Sequence, residues 1–483
     1  MSNLTDLLPA GAGGKQVDFV ASGTIGNGVT VALKADGTVE AVAQESQSQV
    51  LGSATVFQSG FSNYLSSAFD SDNNKVIVVY QDDNDSNDAG KAVVGTVSGT
   101  SISFGTPVVF DTGRVYSNSC AYDSSANKLV IVYRSNANNS YGTAIVGTVS
   151  GTSISFGTEV IFNSSPTEYF SATYDSNASK VVISFRHDNQ AGKSIVGTVS
   201  GTSISFGTAV QFRSNCEHIS STFDSNSNKI VIAFQDHANS LGGSAVVGTV
   251  SGTSISFGAV SFFENNVTID TSCAFDSASN KVVIAYGADD SGDKGKAIVA
   301  TVSGTSVSFG GPYTFSSTQS RYHSVAFDSL ANKVVVAYAQ GVNGILKIFT
   351  VSGTTLSLSA TVTFLSVGGP NEPVLVFDSA NNKVVISYTD FGSTPFGNGT
   401  SKVFQTAFTS TNATDFIGIS DAAISDTATG SVTIKGGIST NVTGLTANST
   451  YYVQDDGSLS TTASDVLAGK ALSSTSINLD YTT

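Results

Sequence analysis

The sequence predicts an all-β protein whose centre is a seven-bladed β-propeller of four-stranded blades, closed by an N-terminal strand, with a small β-domain built from both chain ends. Three observations lead there. An aromatic-Asp-Ser motif recurs seven times, its period falls in the propeller range, and the last repeat lacks one strand that the segment before the first repeat can supply.

The motif stands at Phe69-Asp70, Tyr122-Asp123, Tyr174-Asp175, Phe223-Asp224, Phe275-Asp276, Phe327-Asp328 and Phe377-Asp378, and the Asp positions are separated by 53, 52, 49, 52, 52 and 50 residues. One period contains four strand-like runs, read in the first copy as 66–69, 75–80, 92–97 and 101–109, with turn residues between them. The second run, VIVVY at 76–80 or VVVAY at 334–338, is apolar on both faces, as a strand covered on both sides must be. The first carries small residues such as Ser119-Cys120-Ala121, which suit the crowded inner end of a tapering blade. A lysine follows every anchor Asp by five residues, across a DSxxNK turn whose Asp can accept local backbone amides; a solvated ion pair is the plain expectation for that lysine.

After the seventh anchor come a second strand (384–388) and a third (403–408), but no fourth like FGTPVVF at 104–110. LGSATVF at 51–57 matches that pattern in its glycine, small residues and terminal Phe. Pairing it with the seventh repeat would remove the exposed edges and tie 48–409 into one unit. Residues 1–47 and 410–483 then leave the same blade and share a domain. Each carries an Asp-Gly hairpin signal, in VTVALKADGTVEAVA at 29–43 and TYYVQDDGSLSTT at 450–462, and a mount or oligomerisation module fits both. The first dozen residues read as a frayed arm or, alternatively, a docking peptide.

Bulk composition bounds the function. The 483 residues exceed a usual single domain; charged residues are 12% against 40% hydrophobic. A net charge of -15 with only 22 Lys+Arg opposes nucleic acid and anionic membranes as partners. Cys120, Cys216 and Cys273 are too few and dispersed for a disulfide framework or a CxxC metal site, and read as small buried fillers. The start has no basic region followed by an apolar one, and no long apolar stretch follows, so cytoplasmic synthesis without a signal peptide is expected.

Comparing the copies separates constant turns from variable ones. DSxxNK and VSGTS hardly change, whereas the loops between second and third strands differ, from QDDNDSNDAGK and RHDNQAGK to TDFGSTPFGNGT. The leads into each repeat differ too, as in GRVYSN, SPTEYF, NCEHIS and QSRYHS. In a propeller both variable sets share one face, and a constant frame presenting variable loops is a binding design. Unconstrained drift is the alternative; the concentration of Tyr116, Tyr169, Arg321 and Tyr322 favours recognition. All four histidines, His187, His218, His237 and His323, fall on this face, with Asp188, Glu217 and Asp236 beside the first three. The expected ligand-binding set is therefore Tyr116, Tyr169, His187, His218, Asp236, His237, Arg321, Tyr322 and His323. No fixed metal-ligand spacing accompanies the histidines, so no metal is assigned. DDNDSND at 82–88 resembles a calcium loop without the Gly and Glu that complete one, leaving weak calcium binding open. No GxSxG, P-loop or dinucleotide motif occurs, so no cofactor and no enzymatic activity are expected.

The repeat FDSxxNKVVIAY…VGTVSGTSISFGTPVVF, preceded by MSNLTDLLPAGAGGKQVDF, resembles virion structural proteins of marine tailed phages, including cyanophages. The tail from Phe416, FIGISDAAISDTATGSVTIKGG, resembles a terminal module of phage tail-fibre-like and capsid-surface proteins. The resemblance covers nearly the whole chain but carries no catalytic residues to transfer, and WD, kelch and Asp-box signatures are missing. It implies a tail-fibre, tail-tip or capsid-decoration protein on the virion surface. Its expected partners are a host cell-surface glycan or protein, other virion proteins and further copies of itself, with no nucleic acid and no membrane insertion. The alternatives are a purely structural decoration or filament subunit, and a glycan depolymerase with two loop carboxylates set across a cleft.

Overall fold

The computed structural model describes residues 15–84, 87–289, 292–392 and 397–479. The protein is all-β, with no α-helix among the described residues and three short 3-10 turns. No described helix is long and apolar enough to cross a membrane. Two compact units emerge: 48–406, which holds the repeats, and 1–47 together with 407–483.

In the repeat unit each copy contributes antiparallel strands in chain order. In the first copy Ser62–Asp70 pairs with Lys75–Asp82, which pairs with Ala89–Ser98. The fourth strand is not the single run expected at 101–109. Ser101–Phe104 pairs with the outer half of the third strand, Val108 onward pairs with its other half, and Gly105 lies between. The break has a steric cause: a Cβ on Gly105 would sit 1.9 Å from the Thr152 carbonyl oxygen in the next copy's VSGT turn. Gly52, before the first anchor, meets Thr100 O in the same way at 1.8 Å. Residues 50–51 and 55–58 pair with the third strand of the seventh copy, Leu51 opposite Phe404 and Thr55 opposite Ser401. None of these sheets closes on itself.

The second strands explain the packing. Val76, Ile77, Val78, Val79 and Tyr80 are wholly inaccessible to solvent. Ile77 and Val79 pack with Leu129 and Ile131 of the second copy, while Val76 and Val78 pack with Val385 and Val403 of the seventh. At each such boundary the Phe ending a fourth strand meets the Tyr or Phe near the end of the neighbour's second strand. The pairs are Phe57–Tyr80, Phe110–Tyr133, Phe162–Phe185, Phe212–Phe234, Phe263–Tyr286, Phe315–Tyr338 and Phe364–Tyr388, with ring centroids 5.0 to 5.3 Å apart.

The first strands are joined sideways by hydroxyls. The serine four residues before each anchor accepts an amide from the following copy: Ser66 from Cys120, Ser119 from Ala172, Ser171 from Ser221, Ser220 from Cys273, Ser272 from Val325 and Ser324 from Leu375, at 2.8 to 3.1 Å. The seventh copy has Val374 there, and between it and the first copy the Leu65 amide instead donates to Glu372 Oε2 at 3.3 Å. All seven anchor carboxylates are buried and take backbone amides of their own turns, Asp70 Oδ1 those of Asp72 and Asn73. A left-handed residue completes each turn, from Asn74 to Asn382. The expected ion pair with the following lysine does not form. Lys128 and Lys383 bond the Asn127 and Asn381 carbonyls and Lys333 the Thr350 hydroxyl, while Oδ1 of each anchor Asp is held by amides of its own turn. All three cysteines are buried and free, and burial pushes their thiols up to about 12.

The other unit interleaves the two ends of the chain. One sheet runs Gln16–Val20, Thr429–Ile434, Phe416–Ser420, Thr30–Leu33, Val39–Ala41; a second is built from 438–479. Both Asp-Gly hairpins are present, with Gly37 at φ 84° and Gly457 at φ 82°. A two-fold exchange joins the ends: Ile25 and Ile424 trade both backbone hydrogen bonds at 2.9 Å. The docking arm proposed for the first dozen residues lies outside the described residues.

Replacing Phe57 by Ala empties the contact between the segment before the first anchor and Tyr80, a buried aromatic truncation that costs about 3–5 kcal/mol. Denaturant titration of Phe57→Ala should show that loss in one cooperative transition across 48–406; a loss within ~0.5 kcal/mol, the range of ordinary surface changes, would show that the contact does not hold.

Candidate functional site

The start of each first strand is not regular. Six residues before every anchor the chain steps into the left-handed region, at Tyr64, Ser117, Tyr169, His218, Asp270, Tyr322 and Glu372, with φ between 48° and 56°. The pairing register slips at each of these places. Seven non-glycine bulges cost on the order of 1 kcal/mol each, and bulges are used to re-aim side chains. All seven lie at the end of the sheets that carries the variable loops, since Asn63 pairs opposite Gln81 and Glu217 opposite Gln235.

The next residue along helps to hold the bulge of the preceding copy. Asn118 donates to the Tyr64 carbonyl and Thr271 to the His218 carbonyl. His323 occupies the same place and donates from Nδ1 to the Asp270 carbonyl at 3.1 Å, with Nε2 on Ser320 Oγ at 3.0 Å.

Around the bulges runs a network of aromatics and charges. The guanidinium groups of Arg114 and Arg134 both lie over the Tyr116 ring, 4.9 and 5.3 Å from its centroid, and Tyr116 is edge-on to Tyr64 at 6.4 Å. Arg134 pairs with Glu168 at 2.5 Å; Arg186 reaches Glu168 at 3.4 Å and Glu217 at 3.1 Å. Glu217 also accepts the Tyr169 hydroxyl at 3.2 Å and faces His237 Nε2 at 3.4 Å. Tyr169 in turn packs on His218, 5.2 Å between centroids, and His218 Nδ1 faces Asp270 Oδ1 at 3.4 Å. Asp270 Oδ2 accepts the Tyr322 amide at 3.0 Å. Burial works to raise the Asp270 carboxyl, but His218, the Tyr322 amide and His323 outweigh it and hold it at about 2. Glu372 differs: burial pushes its carboxyl up despite the Tyr64 and Leu65 amides.

The expected residues therefore divide. Tyr116, Tyr169, His218, His237 and Tyr322 meet in this network, and Tyr322 is 41% exposed. Three do not fit the role assigned to them. Asp236 is buried and spent on Arg213 Nε (2.7 Å), Ser244 Oγ and the Ala238 amide, so it stabilises a loop instead of displaying a charge. His323 is buried against Phe315 and Tyr338, where it holds a bulge. His187 bonds only within its own loop, to Asp188 and Asn189. Arg321 pairs with Asp293 at 2.6 Å. No described group of three or more His, Cys, Asp or Glu is placed to hold a metal ion. In the acidic loop Asp82 is paired with Lys91 and Asp88 with Arg114, so the protein's own cations occupy two of its carboxylates. Sequence reading missed Tyr64, Arg134, Glu168, Arg186, Asp270 and Glu372. Counting six residues back from each anchor would have found three of them.

No family model matches the chain, and no curated protein matches it. Solved structures do. The BP39L lectin from Burkholderia pseudomallei aligns over 72% of this chain and 100% of its own, with 10% identity and a TM-score of 0.51. The periplasmic gluconolactonase PpgL of Pseudomonas aeruginosa covers 72% of this chain and 96% of its own, with 12% identity and a TM-score of 0.50. The β-propeller domain of Cps50 from Myceliophteria thermophila covers 74% and 100%, with 8% identity and a TM-score of 0.48. At these identities the likeness concerns the fold, which is all-β and propeller-like. It also corrects one expectation. The chain was expected not to be an enzyme, yet a gluconolactonase stands beside a lectin at similar likeness, so this architecture does not exclude catalysis.

Burial lowers the His323 imidazole from 6.5 to about 4, outweighing the opposing pull of Asp270. In the unfolded chain it binds a proton near 6.5, so between about 6.5 and 4 the unfolded state holds more protons; stability is full above about 6.5 and is lost as pH is lowered through this window, by roughly 3 kcal/mol in all. His323→Asn, which copies Asn118 at the equivalent place, should flatten that dependence when unfolding free energies are compared across the window. An unchanged slope would show that His323 does not bury as a neutral ring.

Proposed function

We propose that 48–406 is a seven-bladed β-propeller whose bulge end binds a glycan, and that the protein is a virion surface component of a tailed phage, mounted through the unit built from both chain ends. What supports the closed seven-fold arrangement is the succession of boundaries. Seven aromatic pairs follow one another from Phe57–Tyr80 to Phe364–Tyr388, and the segment before the first anchor pairs with the seventh copy. The virion assignment rests on the resemblance of the repeat and of the tail from Phe416 to phage structural proteins. A host-surface glycan or protein is the partner this reading implies, and symmetric self-association through the terminal unit is the means of display.

One observation carries the binding role: seven strained bulges aim their side chains from the same end of the sheets, although a regular strand would cost less. What the bulges and the residues around them present suits a sugar. Tyr64, Tyr116, Tyr169 and Tyr322 offer rings for the apolar faces of pyranoses, and Glu168, Glu217, Arg134 and Arg186 offer paired hydrogen-bonding groups already neutralised by one another.

Electron-microscopy class averages down the particle axis should show seven lobes; six, eight or an open arc would overturn the closure. On a glycan array the intact protein should retain a defined set of glycans. The Tyr116, Tyr169 and Tyr322 triple alanine variant should lose at least about tenfold in affinity for them at an unchanged melting temperature. Equal retention by the two would remove the bulge end as the binding face. Mass spectrometry of the retained glycans reads whether they leave intact or cleaved.

A further inference from the structure

We propose that Glu372, flanked by Tyr64 and Tyr322, forms a subsite for a cationic group, the ammonium of an amino sugar. This rests on the glycan-binding reading and specifies its ligand class.

Glu372 occupies the bulge of the seventh copy, between that of the sixth (Tyr322) and that of the first (Tyr64) in the proposed ring. Its Oε2 takes the Leu65 amide at 3.3 Å, which brings the carboxyl to the residue next to Tyr64. Burial, and after it the Glu372 charge, raises both phenols, against the pull of Arg114 and Arg134 on Tyr64 and of Arg321 on Tyr322. The first strand of the seventh copy packs between those of the sixth and the first, which sets the Glu372 position between Tyr322, 41% exposed, and Tyr64.

What sets Glu372 apart is the lack of a counter-ion. Glu168 and Glu217 are held by arginines and Asp270 faces His218. Among the described residues no Lys, Arg or His comes within ion-pair distance of Glu372, and amides alone oppose its desolvation. A ligand that covers this carboxyl removes more of its water. A neutral hydroxyl returns one hydrogen bond, and an anion is repelled by both Glu372 and Asp270. An ammonium returns a charge-assisted bond and also meets the negative faces of the aromatic rings. The arginines nearest the two rings are already committed to other carboxylates, Arg114 to Asp88, Arg134 to Glu168 and Arg321 to Asp293, so the preference for a cation is local to Glu372.

Calorimetry on the full chain would compare two probes, the tetramer of β-1,4-linked glucosamine and its fully N-acetylated counterpart. The amine form should bind at least about tenfold more tightly, and Glu372→Gln should erase that preference. Tyr322→Phe keeps the ring and should keep the preference, whereas Tyr322→Ala should weaken the amine form by about fivefold. Equal or tighter binding of the acetylated tetramer to the parent protein overturns the proposal without any variant, as does a preference that survives in folded Glu372→Gln. If neutral glycans bind and are lost in the Tyr116, Tyr169 and Tyr322 variant while Glu372→Gln changes nothing, the subsite fails and the glycan-binding face stands. If no glycan binds at all, both fail together.

Discussion

The contact on which the rest depends is one aromatic pair repeated at every boundary between sheets. A four-stranded antiparallel sheet of this composition buries one face at most, yet its second strand is apolar on both. It becomes stable only when a neighbour lies on each side. The Phe that ends a fourth strand and the Tyr or Phe of the next copy's second strand meet that need at the variable-loop end, 5.0 to 5.3 Å apart at all seven boundaries. Below them, Val and Ile of adjacent sheets fill the gap. Because each pair joins two copies, the core of a repeat is completed only by its neighbours.

With the sheets held in this way, the inner strands can carry strain. The bulges at Tyr64 through Glu372 place non-glycine residues in left-handed conformation, and the next copy helps to hold several of them there: Asn118, Thr271 and His323 donate to their carbonyls, and amides just beyond donate back to the line of serines. The boundary between seventh and first copies is built differently. Val374 replaces the serine, the Ser67 hydroxyl is left without a partner, and a different amide, that of Leu65, bonds across the boundary to Glu372. The least regular boundary therefore also carries the carboxylate without a counter-ion. Repetition builds the frame, and departures from it supply the chemistry.

The correction about catalysis follows from the same logic. Solved structures of similar fold include a lectin and a gluconolactonase, so the frame alone does not decide between binding and catalysis. What a particular copy does is decided by the groups on the bulges and loops, and there the chain gathers tyrosines, paired arginines and carboxylates.

Much of this was legible in the sequence. The anchors, the apolar second strands, the Asp-Gly hairpins and the match of 51–57 to 104–110 are local patterns, set by backbone geometry and by the two-residue period of a strand. Local chemistry likewise announced the turn role of Asp70 and its counterparts. Partnership across copies was not legible. His323 and His218 stand in similar surroundings in the sequence, yet one is buried on a carbonyl and the other faces Asp270 beside Tyr169, because the two lie one position apart in the repeat and a bulge turns them opposite ways. Asp236 reads as a loop acid until Arg213, 23 residues away, is seen to claim it. The sequence by itself determined the strands, their period and which end would vary. Only the tertiary structure decided which side chains meet, since those meetings join residues some fifty positions apart whose distance is set by how one sheet packs on the next.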